Sequence, residues 1–137
     1  MTFDIFNPES LGVPRGWNNG MLAPASGRIL FVAGQTARNG SNAELPVGFV
    51  EQFEATLANI LAVVLEAGGA PEDIGRFTIY VADIEAYRGS LKELGAAYRN
   101  QMGHHYPAMA LVAVAALVDP TAKVEIEATA VLPQKDS

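Results

Sequence analysis

Apolar side chains recur along the chain with two different periods, and these periods predict helices and strands. Over residues 50–64 the apolar positions are spaced by three and four, which places them on one face of a helix. Gly68 and Gly69 predict its end, because glycine enters the left-handed conformation without a Cβ clash. The same spacing returns over residues 84–98, after the potential cap Asp83, and predicts one continuous second helix.

Shorter segments are rich in β-branched, aromatic or alternating residues and predict strands. In chain order these segments cover residues 19–23, 28–33, 77–81, 108–118 and 123–132. Residues 108–118 are apolar at nearly every position, which predicts a strand that is covered on both faces. In the last segment polar and apolar residues alternate, so Glu125 and Glu127 share one face. The residues before Gly16 are rich in proline and glycine and predict an irregular lead-in.

The order of the predicted elements, β-β-α-β-α-β-β, defines an architecture within one domain over residues 1–137. Two helices cannot cover both faces of a sheet of four or five strands, so an α+β fold with both helices on one face is expected. The other face then needs a cover, because a wet apolar sheet face lowers solubility. We therefore expect the chain to form a homo-oligomer through that face.

The composition narrows the partners and the compartment. Fifteen acidic residues against nine basic ones give a net charge of −6, and the basic residues form no stripe. Nucleic acid and anionic membranes are therefore not expected as partners, because their phosphates repel such a surface. The chain has no cysteine, which excludes disulfides and thiolate metal sites and fits a reducing compartment. No basic leader and no apolar run of bilayer length is visible, so a cytoplasmic protein is expected.

Two pairs of side chains could carry chemistry. The neighbouring histidines His104 and His105 have no further ligand at suitable spacing, which favours a loop or interface role over a metal site. His105 could still carry a proton, because histidine titrates near neutrality. Glu125 and Glu127 could position water beside a reacting bond, or form a solvated strand face with Lys123.

Two loop or strand-end residues could contact a ligand. The single tryptophan, Trp17, lies in a glycine-flanked loop, where it could stack on a ligand or fill a gap at the edge of the core. Gly34 could let the backbone approach a ligand closely, or mark a β-bulge at the end of its strand. Sequence patterns typical of Rossmann, P-loop, zincin and serine-hydrolase sites are absent from the chain.

Five segments in order resemble the RidA (YjgF) family over residues from about 18 to 131. They are Phe31-Val32-Ala33-Gly34-Gln35, the helix with Gln52 and Asn59-Ile60, Thr78-Ile79-Tyr80-Val81-Ala82-Asp83, Tyr106-Pro107-Ala108, and Val124-Glu125-Ile126-Glu127-Ala128. The resemblance implies a chorismate-mutase-like α+β two-layer sandwich with a mixed sheet. It also implies homotrimers whose sheets line a central barrel, with small-molecule sites in clefts between subunits.

The family resemblance implies a reaction as well. Active members hydrolyse 2-imino and 2-enamino acids to 2-oxo acids and ammonia, without a cofactor. They hold the substrate carboxylate with an arginine in a Pro-Ala-Arg-Ser pattern. Here residues 107–110 read Pro-Ala-Met-Ala, so Met109 stands where that arginine is expected. A thioether offers neither the charge nor the donors of a guanidinium.

Other positions of the family site also differ in this chain. By resemblance, Leu111 stands in place of a cysteine that acts largely through its backbone N–H. Leu91 replaces an asparagine, and Trp17 replaces a tyrosine of the N-terminal loop. The water-positioning glutamate is retained as Glu125. The expected cleft, with Gly34 on its floor, is therefore more apolar than in the active enzymes.

Two hypotheses follow for the function. In the first, the chain is a deaminase with altered substrate or reduced activity, in which Glu125 polarises water and His105 serves the leaving nitrogen. The substrate would then lack a carboxylate, or another cation such as Arg15 or Arg28 would hold it. In the second, the chain is a non-catalytic trimer that binds a small, fairly apolar metabolite, or a partner, in the cleft between subunits. Ribonuclease activity is not favoured, because no basic track for phosphates exists.

Overall fold

The computed structural model describes residues 3–41 and 44–135 and contains six strands and three α-helices in that part of the chain. The strands are β1 (Asp4–Phe6), β2 (Gly20–Leu22), β3 (Arg28–Gln35), β4 (Ile74–Val81), β5 (Ala108–Ala113) and β6 (Val124–Leu132). The helices are α1 (Phe49–Glu66), α2 (Ile84–Arg88) and α3 (Leu91–Met102). Short 3-10 turns cover Glu9–Leu11 and Pro71–Asp73.

The main sheet has four strands in the order β3-β6-β4-β5. The β4–β5 pair is parallel, whereas β6 runs antiparallel to both β3 and β4, so the sheet is mixed. The expected α+β two-layer arrangement is confirmed. The first predicted strand does not join this sheet: as β2 it pairs with β1 in a separate ribbon. The sequence analysis predicted irregular structure before Gly16. That prediction was wrong for Asp4–Phe6, which form strand β1.

The core lies between the helices and one face of the sheet. Every second side chain of β6 is buried, beginning with Val124 and ending with Leu132. The apolar face of α1, which includes Leu57, Ile60 and Val64, is buried in the same cluster. Burial of one such aliphatic side chain contributes roughly 1.5–3 kcal/mol, so the helix layer is fixed mainly by this stripe.

The first predicted helix is confirmed as α1, and its end is close to the predicted one. Ala67 is the C-cap of α1, and Gly68 follows it with a φ of +89°, a left-handed conformation that favours glycine. The Asp83 cap is also confirmed, because its carboxylate accepts hydrogen bonds from the Glu85 and Ala86 N–H groups. The second helix is not continuous: it breaks between α2 and α3 at Gly89 and Ser90, two residues of low helix propensity.

The prediction of a long strand covered on both faces was wrong for residues 108–118. Strand β5 ends at Ala113, and it forms an edge of the sheet, with side chains that are half-buried or exposed. Beyond the strand, Val118 is fully exposed. Within one chain the apolar character of this segment is therefore not matched by burial.

A buried glutamine fastens α1 to two loops. Gln52 is 1% exposed, and its Nε2 donates hydrogen bonds to the carbonyls of Pro46 and Thr121 at 2.8 and 2.9 Å. Its Oε1 accepts a hydrogen bond from the Lys123 N–H at 2.8 Å. All polar atoms of the side chain are therefore partnered, and the start of β6 is fixed relative to α1.

We predict that Gln52→Leu lowers the free energy of unfolding by about 2–3 kcal/mol, because two carbonyls and one N–H lose their buried partner. Urea denaturation measures the loss. The matched control is Gln101→Leu, since Gln101 donates a single exposed hydrogen bond to the Glu54 carbonyl. Equal losses in the two variants would contradict a special role for Gln52.

Candidate functional site

A cavity of about 430 Å³ lies on the helix side of the sheet, between β5, α3 and the loop before β2. Four of its lining residues were expected in the ligand cleft from the sequence: Trp17, Leu91, Met109 and Leu111. The remaining lining residues are Arg15, Gly16, Phe53, Ile79, Tyr87, Leu94, Gly95, Tyr98, Arg99 and Tyr106. The walls are thus mainly aromatic and aliphatic, which is typical of sites for small organic ligands.

Strand register explains why Met109 and Leu111 face this cavity. Met109 is paired with Phe77, and Leu111 with Ile79, in the parallel β4–β5 ladder. Phe77 and Ile79 are both buried under the helices, and paired residues point to the same side of a sheet. Met109 and Leu111 therefore point to the helix side as well.

Three asparagine side chains hold the Trp17 loop against the cavity. The Asn18 amide donates a 2.7 Å hydrogen bond to the Tyr106 carbonyl and accepts one of 2.8 Å from the Asn7 amide. Asn7 in turn accepts a hydrogen bond from the Asn19 N–H, and the Trp17 indole N–H donates to the Asn19 side chain. These bonds give the exposed indole a defined position at the rim.

Two stacked tyrosines form the rigid wall of the cavity. The Tyr98 and Tyr106 rings lie 5.2 Å apart between centroids at an interplanar angle of 6°. The Tyr98 hydroxyl donates a 2.6 Å hydrogen bond to the His105 carbonyl. Burial, with a smaller contribution from Tyr106, raises the pKa of Tyr98 above its ordinary value. Tyr98 therefore stays protonated near neutral pH and contributes an aromatic surface rather than a base.

Glu125 and Gly34 lie together, but outside this cavity. Glu125 is paired with Tyr80 and alternates with the buried Ile126, so its carboxylate is on the open face of the sheet. The β3–β6 register is irregular between Val32 and Gln35, which fits the bulge that Gly34 suggested. Strand β3 continues through Gly34 to Gln35, so the prediction that the strand ends at Gly34 was wrong.

The backbone of β3 approaches the carboxylate of Glu125 closely at Gly34. A Cβ atom built on Gly34 would lie 2.6 Å from Oε2 of Glu125, too close for any side chain without movement of the carboxylate. The backbone of Gly34 thus forms one wall beside the carboxylate. This contact links two of the residues that the sequence singled out.

The open face carries a polar centre and apolar edges. The Tyr80 hydroxyl donates a 2.8 Å hydrogen bond to Glu127, and this bond is the main reason that the pKa of Tyr80 is raised. A shallow depression of about 460 Å³ includes Arg76 and Phe31. The Phe31 side chain is 79% exposed at the edge formed by β3. This edge of the open face therefore presents an apolar aromatic ring to solvent.

An ion pair joins the loops that follow β3 and precede β6. The Arg38 guanidinium donates hydrogen bonds to Asp119 at 2.7 and 3.1 Å. The Thr121 hydroxyl and N–H also donate to Asp119. Thr121 first, and then Arg38, lower the pKa of Asp119 to about 2. Asp119 therefore connects the loop after β3 with the loop before β6.

Two residues that the sequence suggested lie away from the cavity. His105 has its Nε2 at 2.7 Å from the Ile74 carbonyl, and its ring stacks on Phe3, so it is not among the lining residues. Arg28, the first residue of β3, donates two hydrogen bonds to the carbonyl of Pro133, which follows β6. Arg15, the other suggested cation, does line the cavity.

The sequence reasoning missed Arg99. Its position on α3, four residues after Gly95 and eight after Leu91, places all three on one side of the helix. That spacing was the available signal. The helical spacing placed Tyr87 and Tyr98 on the apolar face of the second helix, and both residues line the cavity together with Tyr106.

The described residues offer no metal centre and no membrane span. Within residues 3–41 and 44–135 no group of three or more histidine, aspartate or glutamate side chains is arranged to hold a metal ion. No helix in that part of the chain combines the length and the apolar character needed to cross a bilayer.

The chain matches the family profile described as endoribonuclease L-PSP over residues 14–132. It is similar to the Escherichia coli 2-iminobutanoate/2-iminopropanoate deaminase, with 30% identity over 105 residues, which are 77% of this chain and 80% of the relative. The chain belongs to this family, which is also called RidA or YjgF.

Solved structures of relatives agree with that assignment. A Rid-family protein of unknown function, YyfB from Yersinia pestis, has a TM-score of 0.83 and 32% identity, over 96% of this chain and 100% of that chain. Escherichia coli TdcF with bound serine has a TM-score of 0.65 and 28% identity, over 82% and 91% of the two chains.

We predict that Asp119→Asn lowers stability at pH 5, and that the difference from the wild type shrinks as the pH falls toward 2. The folded pKa of about 2 lies below the ordinary 3.8, so the stabilisation is present above about pH 4 and disappears as Asp119 is protonated. Urea midpoints at pH 5 and pH 2.5 measure the change. A constant difference at both pH values would contradict this assignment.

Proposed function

We propose that the protein is a homotrimeric hydrolase of a C=N bond in a small organic imine or enamine. The cavity binds the organic part of the substrate, and Glu125 of a neighbouring copy activates water. The observation that carries this proposal is that Glu125 and the cavity lie on opposite faces of one sheet. A second copy is therefore needed to bring the carboxylate to a ligand in the cavity.

The chemistry follows from the carboxylate. Glu125 accepts a proton from water while the oxygen attacks the imine carbon and the nitrogen takes up a proton. The resulting carbinolamine loses ammonia and leaves a carbonyl group, so imine plus water becomes ketone plus ammonia. The role of His105 as the donor to the leaving nitrogen stays a prediction, and its Nε2 is engaged with the Ile74 carbonyl in the isolated chain.

Met109 changes the substrate preference in this proposal. Its half-buried thioether lies in the cavity, at the position where the family resemblance places an arginine that binds the substrate carboxylate. A small 2-imino acid whose binding depends on such a contact is therefore a poor substrate. A larger imine, held by contact with the aromatic walls, is favoured.

A second candidate function is ligand binding without catalysis. The aromatic and aliphatic lining of the cavity favours it, because burial of apolar surface alone gives useful affinity. Under this alternative, a ligand raises the melting temperature but no ammonia is released from any imine. Activity measured on freshly generated imines separates the two functions.

We predict that Glu125→Gln lowers the rate of ammonia release by at least about 100-fold, because the amide cannot accept the proton of water. The substrate is a large aromatic 2-imino acid, freshly generated from phenylalanine by an amino acid oxidase, and spontaneous hydrolysis is subtracted. The affinity of the Glu125→Gln variant for the reaction product should differ little from that of the wild type. An unchanged rate would remove Glu125 from the mechanism.

Mixed oligomers test whether Glu125 acts across a subunit boundary. Glu125→Gln is co-refolded with Trp17→Ala, a variant that alters the rim of the cavity. Random assortment then gives about one quarter of sites with an intact cavity from one copy and an intact Glu125 from another. Recovery of activity to that extent supports the proposal, and no recovery with confirmed mixing contradicts it.

We predict that Phe31→Glu dissociates the oligomer, because it places a charge on the exposed apolar edge of the open face. Light scattering after gel filtration should return the 14.5 kDa monomer. The matched control is Leu65→Glu, on the exposed side of α1, which should keep the mass of the wild type. The same mass for both variants would exclude the open face as the interface.

A further inference from the structure

We propose that Arg15 and Arg99 bind the anionic group of the ligand in this cavity, so that the site selects a carboxylate attached to an aromatic or bulky apolar group. This inference deepens the proposed function and rests on its claim that the cavity holds the organic substrate. It assigns to these two residues the recognition of charge that Met109 lacks.

The first observation is the distribution of charge. Among the described residues that line the cavity, two are arginines and none is acidic. The whole chain carries fifteen acidic and nine basic residues, so this local excess is opposite in sign to the net charge of −6. The ion pairs of the described residues join Arg38 to Asp119 and Arg88 to Glu85, so neither Arg15 nor Arg99 is neutralised there.

The second observation is the position of the Arg99 side chain. A Cβ atom built on Gly95 would lie 3.1 Å from Nη1 of Arg99, and both residues line the cavity. The guanidinium therefore lies over Gly95, one turn back along α3. A larger residue at position 95 would occupy part of this space. The absence of a side chain in the middle of α3, where glycine weakens a helix, leaves room for the guanidinium.

The third observation concerns Arg15 and the aromatic wall of the same cavity. Arg15 lies in the loop that the Asn18 hydrogen bonds hold against Tyr106. The stacked rings of Tyr98 and Tyr106 are part of the same lining and present a rigid aromatic surface. A ligand with an anionic head and a flat apolar body matches both halves of the lining.

The test uses 3-phenylpropanoate and its neutral isostere 3-phenylpropanamide, titrated into the intact oligomer by calorimetry. We expect the wild type to bind the acid at least tenfold more tightly than the amide. Arg99→Gln should weaken the acid about tenfold and leave the amide within twofold, as a charge-assisted hydrogen bond predicts. Arg15→Gln should act in the same direction, and Arg99→Lys should restore part of the affinity. Butanoate, which lacks the ring, should bind more weakly than 3-phenylpropanoate.

Two variants separate charge recognition from folding. Arg88→Gln removes the same charge from the exposed end of α2 and should leave both affinities unchanged. Gly95→Ala should raise the melting temperature, because alanine favours the helix, and should keep the preference for the acid, since the flexible guanidinium has to move by only a few tenths of an ångström. Unchanged acid affinity in Arg99→Gln would overturn the inference, and so would equal binding of acid and amide by the wild type.

Failure of this inference and failure of the proposed function give different results. Ammonia release that depends on Glu125, together with equal acid binding by wild type and Arg99→Gln, would overturn the arginine assignment alone. Binding of the acid that depends on Arg99, without ammonia release from any imine, would overturn the hydrolase and support the arginine assignment.

Discussion

The alternation of side chains along β6 is the constraint on which the rest of the structure depends. This strand lies between β3 and β4, so its register fixes both neighbours. Ile126 and its even-numbered companions enter the core, whereas Glu125 and Glu127 are turned to the open face. A slip of one residue would bury two carboxylates and expose the core, at a cost that no helix contact could offset. Gln52 fixes this register at the start of the strand through Lys123.

Because the helices cover only one face of the sheet, the candidate site residues lie on two separate surfaces. The helix side contains an aromatic cavity, but no carboxylate lines it among the described residues. The open side contains Glu125 against the backbone of Gly34, but Glu125 does not line the depression on that side. Each surface is incomplete by itself. Assembly through the open face would therefore serve stability and function with the same contacts, since it would cover Phe31 and bring a carboxylate to a neighbour.

Local periodicity predicted the elements whose burial is one-sided and regular. Helix α1 and the alternation in β6 followed directly from spacing, because each packs one stripe or one face against the core. The break at Gly89 was missed because the apolar spacing continues through it, and α2 and α3 pack on the same side of the sheet. Burial of β5 was overestimated because apolar composition does not distinguish a central strand from an edge that a second copy or a ligand would cover.

The candidate site was less predictable than the fold, for a related physical reason. The spacing of residues along a strand indicates which side chains share a face, but not which face contains a cavity. The family resemblance grouped Glu125 with Met109 in a cleft between subunits, and within one chain alternation and register place the two residues on opposite faces of the sheet. Arg99 was missed because a charged side chain in the last turn of a helix is usually expected to face solvent, although its spacing from Leu91 places it on the cavity side of α3. The absence of a side chain at Gly95 leaves space for its guanidinium there.

The location of the arginines also bears on the energetics of an empty site. An arginine at position 109 would lie on a half-buried strand position beside Leu111, where an unpaired charge is expensive when no anion is bound. Arg15 and Arg99 lie at exposed positions, so water solvates them while the cavity is empty. The same exposure screens their attraction for an anion. Charge at this rim therefore contributes less affinity than a buried clamp would. The flexible thioether of Met109 and the fixed tyrosine wall contribute to the choice of the apolar part of the ligand.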